Sequence, residues 1–544
     1  MKNIFKISIK LFLAIIVVTA MNSCEKFEDL QLNPNVASDK QVVPPSRIFN
    51  RILFDVYSGG GVLDGQSGFV HEGPWNAVMR WNQFIVSNDT YYGGNNYYDW
   101  SNSSTMYDVI KNSNEMEKWA NPKNIESNKV NQYSALAKFL KAYSFIWYTQ
   151  RVGDIPLTDA GKGMGNLTPK FSKQAEVYKY CLELLDSANT EFNTVINVIK
   201  PTPKLEGDIY LGNSLAKWQK AVNTYTLRVL LSLSKRADDT PELKVKERFA
   251  AIIADPKKYP VMTGISDNLQ FKYNSLYNKH PKVGISGNYN SRHNVSKTYL
   301  SLTTKYKDPR TFVIATPAPA LIKSGKKPND YTAYAGSDNN LPIADLTKNS
   351  ADGKYSFSNY NRYYKQDVVI NSPEPYVIIG YAEMCQNIAE GINRGWANGD
   401  AGQWYVNGIN GSFEFYGIKN GTVLTIADNA GKTLGTDTVK TAVYFAQPEV
   451  AYKGNNADGL NQILEQKYIS FFQNSGWEAY YNWRRTGVPA FLEGGVGVNA
   501  SKKIPRRFQY PPSEKNENSE NYTEAVNSQF NGEDDLYKDI WAVK

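Results

Sequence analysis

Residues 75–100, WNAVMRWNQFIVSNDTYYGGNNYYDW, carry the densest set of side chains in the chain that could engage a ligand. Trp75, Trp81, Trp100, Tyr91, Tyr92, Tyr97 and Tyr98 alternate there with Arg80, Asn82, Gln83, Asn88, Asp89, Asn95 and Asn96. Sugars present apolar C–H faces rimmed by hydroxyls, so a sugar site needs flat aromatic platforms beside fixed donors and acceptors. Trp75, Arg80, Trp81, Asn82, Asn88, Asp89, Tyr91 and Tyr92 are the candidates. The same composition also suits a core, and Trp75 and Phe84 are the members readiest to be absorbed by one. FKYNSLYNKH (271–280) and GNYNSRHN (287–294) repeat the pattern more weakly, with Tyr289, Asn290 and Arg292 as candidates. Base stacking uses similar aromatics, but nothing around these segments is basic enough to track a phosphate backbone.

Motifs for bond-breaking chemistry are sparse. Gly431, Lys432 and Thr433 match the end of a phosphate-binding loop, but Ile426 stands where its first glycine belongs. GQSG at 65–68 lacks the spacing of a nucleophile elbow. His71, His280 and His293 have no paired-ligand spacing and suit surface or loop hydrogen bonding. Glu72, Asp89, Asp99 and Asp108 leave a glycosidase carboxylate pair open as an alternative, since such pairs have no local signature. No loop has the acidic spacing of an EF-hand, so neither a calcium site nor any other cofactor is expected from a motif.

Composition narrows the field in the same direction. The 544 residues carry 61 basic against 53 acidic side chains, a formal +8. Three of the lysines (Lys2, Lys6, Lys10) fall in a leader, and removing them leaves +5, thinly spread over the rest. Nucleic-acid binders concentrate such charge on one face, so no nucleic-acid partner is expected. Aromatics make up 13% of the chain while mean hydropathy is −0.49, which places much aromatic surface beside polar groups.

The elements that must hold these segments are mostly helical. Tyr133, Leu136, Ala137, Leu140, Ser144 and Trp147 share one helical face, as do Val177, Tyr178, Cys181, Leu184, Leu185 and Ala188. Trp218, Ala221, Val222, Tyr225 and Val229 form a third stripe, and two more run through 375–393 and 460–484. The Gly/Pro-rich stretch 153–169 ends one helix and precedes the next. Helices paired across loops suggest tetratricopeptide-like stacking, although the repeat consensus is absent. Cys181 and Cys385 lie on apolar faces and are expected as buried free thiols. Segments 58–103, 262–297, 323–372 and 417–458 are polar, aromatic and weakly periodic, as expected of long ordered loops.

The first 23 residues place three lysines before an apolar run from Leu11 to Ala20, too short to span a bilayer and suited to a secretory signal. The run ends in MNSC, which resembles a bacterial lipobox with Met21 in place of the commoner Leu. Cleavage before Cys24 would leave its thiol to carry lipid. Each buried methylene adds ~0.8 kcal/mol, so a multiply acylated Cys24 would hold firmly to a membrane. Glu25, Glu28 and Asp29 follow, resembling the acidic signal for surface export in some Gram-negative lipoproteins.

Several longer strings occur in order: RVGDIPLTDA (151–160), DIYLGNSLAKWQKAVNTYTLRVLLSLSKR (208–236), KDPR (307–310) and EPYVIIGYAEMCQNIAEGINRG (374–395). EQKYISFFQNSGWEAYYNWRRTGVPAF (465–491) and IPRRFQYPPSEKNENSENYTEAV (504–526) follow. With the leader and the LNPN at 32–35, this order resembles the SusD/RagB family of surface nutrient-binding lipoproteins, in the subgroup with a C-terminal WRRTGxP and IPRR pattern. The resemblance covers essentially the whole mature chain.

It implies a mainly α fold, with tetratricopeptide-like helix pairs packed against a loop-rich irregular half with minor β-structure. It further implies one domain over 24–544, with the helix pairs mainly within 130–236 and 374–486. The implied role is non-catalytic capture of oligosaccharide, or in some members peptide, as the lid of a SusC-like TonB-dependent outer-membrane barrel. Trp483, Arg484 and Arg485 would then be scaffold, while the ligand residues do not transfer as a motif. A surface-anchored glycosidase is the remaining alternative. Replacing Cys24 with Ala is expected to abolish metabolic labelling with an alkyne fatty acid and to release the protein from the membrane fraction. Labelling that survives the substitution would remove the lipid anchor.

Overall fold

The computed structural model describes residues 43–57, 72–90, 96–160, 162, 165–285 and 287–544. The leader with Cys24, His71, GQSG, Tyr91 and Tyr92 lie outside these residues, as do the side chains of 287–289, Tyr289 among them.

Helix α1 (Pro45–Tyr57) and the short α2 (Ala77–Trp81) precede a run of longer helices: α3 (Tyr107–Ala120), α4 (Gln132–Val152), α5 (Gln174–Asn197), α6 (Leu215–Ser232) and α7 (Val245–Ala254). Each of α3 to α7 packs on the next, and α1 lies against α3. The start of α4 is fixed by Asn131, whose side chain accepts from the Tyr133 and Ser134 amides while Ser134 accepts from the Asn131 amide. Gly153, at φ 97°, stops it. The stripe expected on α4 is only part of what it buries: nearly every residue from Tyr133 to Val152 is covered, because α3, α5 and α6 surround it.

A second group comprises α8 (Tyr381–Asn393), α9 (Ala401–Phe415), α10 (Ala457–Ser470), α11 (Glu478–Thr486) and α12 (Ser519–Phe530). The periodicity over 375–393 contains a strand before its helix, and that over 460–484 contains two helices. The second break has a backbone cause: Gln473, Ser475 and Gly476 all have φ near +60°, a conformation that no helix continues through. The shorter helices fill the regions expected to be loops, where residues 343–351, 360–363 and 366–371 are helical. Among the described residues the strands form four two-stranded antiparallel ladders. These are β1 (Ile85–Ser87) with β5 (His293–Val295), β2 (Ile155–Pro156) with β3 (Phe171–Ser172), β4 (Leu269–Phe271) with β6 (Tyr376–Ile379), and the hairpin β7 (Val423–Ala427) to β8 (Thr433–Thr438). The architecture is mainly α with minor β-structure. One continuous core runs from Phe49 to Val543.

Charged groups are buried across the joins between elements. Glu390 of α8 is fully buried and pairs with Arg485 of α11 at 2.5 Å and with Lys467 of α10 at 3.6 Å. Arg394 reaches it from the surface at 2.9 Å. Arg228 of α6 forks onto Glu383 of α8 and donates to the Ile378 carbonyl. In KDPR, Arg310 and Asp308 form a pair with no exposure, satisfied further by Ser412, Gln466 and Tyr444. Cys181 and Cys385 are buried and free, and burial pushes the Cys385 thiol up to about 12. His280 and His293 are buried too: His280 keeps the loop hydrogen-bonding role expected of it but away from the surface, while His293 lies in strand β5. The His280 ring packs edge-on to Tyr273 and accepts from the Lys282 amide, and burial and then Lys282 pull it down to about 4.

Glu390 generates a stability test. Burial alone would raise its carboxyl, but Arg485 and Lys467 outweigh burial and hold it well below the ordinary 4.5. A depressed folded value means that the contribution is full above pH 4.5 and is lost as pH falls below it. Glu390→Gln is expected to cost about 3–5 kcal/mol in denaturant unfolding at pH 7, because it strands buried cations. Arg394→Ala, at the exposed edge of the same cluster, is expected to cost less than about 1 kcal/mol.

Candidate functional site

Two segments singled out separately in the sequence, 75–100 and 287–294, meet in space. Strands β1 and β5 pair with Ile85 opposite Val295 and Ser87 opposite His293, and the Asn88 amide continues the ladder by donating to the Arg292 carbonyl at 3.0 Å. This pairing carries Asp89 and Arg292 onto one rim, where they form a 3.2 Å ion pair with side chains 36% and 22% exposed. Asn96 ties the following segment to the same place, its side chain accepting from the Ser87 amide and donating to the Ser87 carbonyl. Tyr97 comes next and is 43% exposed.

Behind this rim the candidates divide. The Trp81 ring is 6% exposed, stacked on Trp477 at 5.4 Å and meeting Trp100 edge-on at 5.0 Å. Its Nε1 donates to the Tyr97 carbonyl at 2.8 Å. Trp75, also 6% exposed, has φ 70° and wedges among Tyr363, Tyr364 and Phe472, while its amide donates to Gln473 Oε1 at 2.7 Å. A positive φ is costly for so bulky a residue and persists because these contacts over-determine it. Neither tryptophan offers an open face for stacking. Asn82 is wholly buried, donating to the Gly476 carbonyl and accepting from the Tyr480 amide. Asn88 is 5% exposed, with its Nδ2 near Ser291, Asn294 and Ser350. These four side chains are spent on the fold, because the long segment 75–100 has backbone turns whose polar groups must be met internally.

Arg80 is half-buried and lies close enough to Lys282 to lower its amine. Lys282 itself is 5% exposed over the rings of Trp75 and Tyr364, at 5.3 and 5.4 Å. Burial and then Arg80 bring its amine down to about 7. Lys282 was not singled out in the sequence, nor was Tyr97 separated from its neighbours. The signal for Tyr97 is slight: it follows an asparagine that anchors the backbone, so its own ring is left outward. Asn290 is buried, and its side chain holds the Asn429 carbonyl of the β7–β8 turn. That turn contains Gly431 and Lys432, with Thr433 opening β8, and so runs from strand to strand, not from strand to helix as a phosphate-binding loop does. Of the carboxylates open to a catalytic reading, Glu72 is held by Arg151 and Trp147, and Asp89 by Arg292. Among the described residues no group of His, Cys, Asp and Glu is placed to hold a metal, and no helix is long and apolar enough to cross a membrane.

The rim and the core behind it should separate on mutation. Trp81→Ala is expected to lower stability by about 3–5 kcal/mol in a chemical melt, whereas Tyr97→Ala should stay within about 0.5 kcal/mol of the parent. A small effect at Trp81 would show that its ring is not packed as described.

The sequence and the fold both match one known family. The sequence model of the SusD-like family described as "Starch-binding associating with outer membrane" matches residues 66–511. No curated protein matches the chain. A SusD homolog from Bacteroides fragilis NCTC 9343 is similar at 28% identity and TM-score 0.78, the match covering 92% of this chain and all of that one. A second SusD homolog from the same organism gives 25% and 0.70, covering 92% and 99%. A chitin-binding SusD homolog from Flavobacterium johnsoniae shares the fold at 21% and 0.63, covering 92% and 98%. The matched span takes in β1, β5 and the buried C-terminal arginines alike, and the chain belongs to the SusD-like family of starch-binding proteins that associate with the outer membrane.

Proposed function

We propose that this protein captures glycans at the cell surface without altering them, anchored by lipid on Cys24 and acting as the lid of a SusC-like TonB-dependent outer-membrane barrel. What supports this reading is the β1–β5 pairing, which sets the half-buried Asp89–Arg292 ion pair beside the segment that Asn96 ties to Ser87 and that carries the exposed Tyr97. A guanidinium and a carboxylate hold sugar hydroxyls in fixed directions, while a half-exposed phenol supplies a C–H platform. Tyr91, Tyr92 and Tyr289 adjoin these residues in sequence and extend the proposed site. Arg80 belongs at its edge. Family membership and the chitin-binding relative support a carbohydrate cargo.

Affinity at such a site is modest. A stacked ring contributes roughly 0.5–1.5 kcal/mol beyond area burial, so a few contacts give micromolar to millimolar dissociation constants. Weak capture suits a lid that must release its cargo, and simultaneous contact with a barrel would raise the effective affinity. Titration calorimetry against a panel of soluble polysaccharides and peptides, with product analysis, tests this. One glycan class is expected to bind without new reducing ends, and Tyr97→Ala or Arg292→Ala should weaken it about 5- to 10-fold, near 1–1.4 kcal/mol, at an unchanged melting temperature. Retention of peptides alone would move the cargo to peptides, and cleavage of the ligand would end the non-catalytic reading.

A further inference from the structure

The string WEAYYNWRR places more positive than negative charge inside the protein. A small cavity between α4, α6, α10, α11 and the last residues of the chain is walled by Gln150, Arg228, Lys467, Glu478, Arg484 and Arg485, among others. Its four cations are each less than a tenth exposed. Arg228 is matched by Glu383 and Arg485 by Glu390, each through two nitrogens. Lys467 has only a shared claim on Glu390, at 3.6 Å. Arg484 has no carboxylate among the described residues. Its Nη1 donates to the Arg506 carbonyl at 2.7 Å and its Nη2 to the Gln150 carbonyl at 2.8 Å, while its Nε, like the Tyr481 hydroxyl, meets no acceptor among the described residues.

Carbonyl dipoles satisfy hydrogen-bond geometry but do not cancel a charge, and an uncompensated buried cation is costly. Among the described residues, the four cations of the cavity wall pair with or face three carboxylates, Glu383, Glu390 and Glu478. Glu478 offsets little, since its nearest cation is Arg228 at 3.7 Å and burial raises its carboxyl toward the neutral form. The half-buried Arg394 adds a further positive charge to Glu390.

We propose that this cavity binds one small inorganic anion of chloride's size and charge. The walls supply the Lys467 ammonium, the Arg484 guanidinium, the Tyr481 hydroxyl and the Asn482 amide as donors, and the space suits an ion or a water or two. The anion neutralises the excess charge where the helix pairs meet the chain end, at Ala542 and Val543. Its role is structural and independent of the glycan rim.

Two measurements on the purified protein test this. Crystals soaked in sodium bromide are expected to show an anomalous peak in the cavity within contact of Arg484. Ordinary water density there without anomalous signal would overturn the proposal. Thermal unfolding at about 0.15 M ionic strength compares sodium chloride with sodium methanesulfonate, whose anion is too large for the cavity. Chloride is expected to raise the melting temperature by about 1–3 °C through preferential binding to the folded state, and Arg484→Met should erase that difference. Equal melting of the unaltered protein in the two salts would count against an anion, and so would an undiminished chloride response in Arg484→Met. If that variant fails to fold, the bromide peak in the unaltered protein decides alone.

Discussion

The Glu390 carboxylate is the point on which the helical half of this protein depends. It has no exposure, and taking it out of water is unfavourable unless Arg485, Lys467 and Arg394 converge on it. Those partners come from α11, from α10 and from just beyond the end of α8, so one acid fixes the relative placement of three helices. Arg228 and Glu383 add the join between α6 and α8 by the same means. Such pairs contribute little net stability over apolar replacements of the same shape, but loss of one partner is severe. In strings such as KDPR and WRRTG, Asp308 with Arg310, and Arg485 with Glu390, therefore form pairs inside the fold. Their chemistry is that of mutual neutralisation in a medium of low polarity.

That constraint also explains the aromatic segment. Trp81, Trp100, Trp477, Tyr480 and Phe508 form one edge-and-face cluster, and the Trp100 Nε1 donates to the Arg507 carbonyl. The N-terminal aromatic run is thus the surface on which the C-terminal strings are seated. Tryptophan suits this place because its ring fills volume while its single N–H can be met by one backbone carbonyl. Asn82 and Gln83 do comparable work for the backbone: Asn82 reaches Gly476, and Gln83 both donates to and accepts from the backbone of Leu492.

The helices were legible because their period is local. The stripes through Leu136, Cys181 and Trp218 correspond to α4, α5 and α6, with Asn131 and Gly153 marking the ends of α4. The ladders were not legible, since three of the four pair strands of two to four residues whose partners lie across intervening loops or helices. The site was half legible for the same reason. Composition identified both segments that form the rim, but it could not tell Trp81 from Tyr97. An aromatic ring in a polar stretch has the same sequence signature whether its face meets Trp477 or solvent. What distinguishes them is a partner almost four hundred positions away.

A binding rim made from loops needs a frame that does not yield, and the frame here is polar as well as apolar. Asn88 reaches Ser291, Asn294 and Ser350, Asn96 closes on both backbone groups of Ser87, and Thr347 donates to the Asn88 carbonyl. The bonds to Ser87, Ser291 and the Asn88 carbonyl fix backbone close to Asp89, Arg292 and Tyr97. A backbone held this way leaves less ordering for a ligand to impose, which under the proposed function favours affinity from few contacts. Under the proposed function, change confined to the rim would alter cargo without disturbing Asn82, Asn88 or the tryptophans. The buried residues of the aromatic segment carry its packing, which leaves exposed neighbours such as Tyr97 dispensable to the fold.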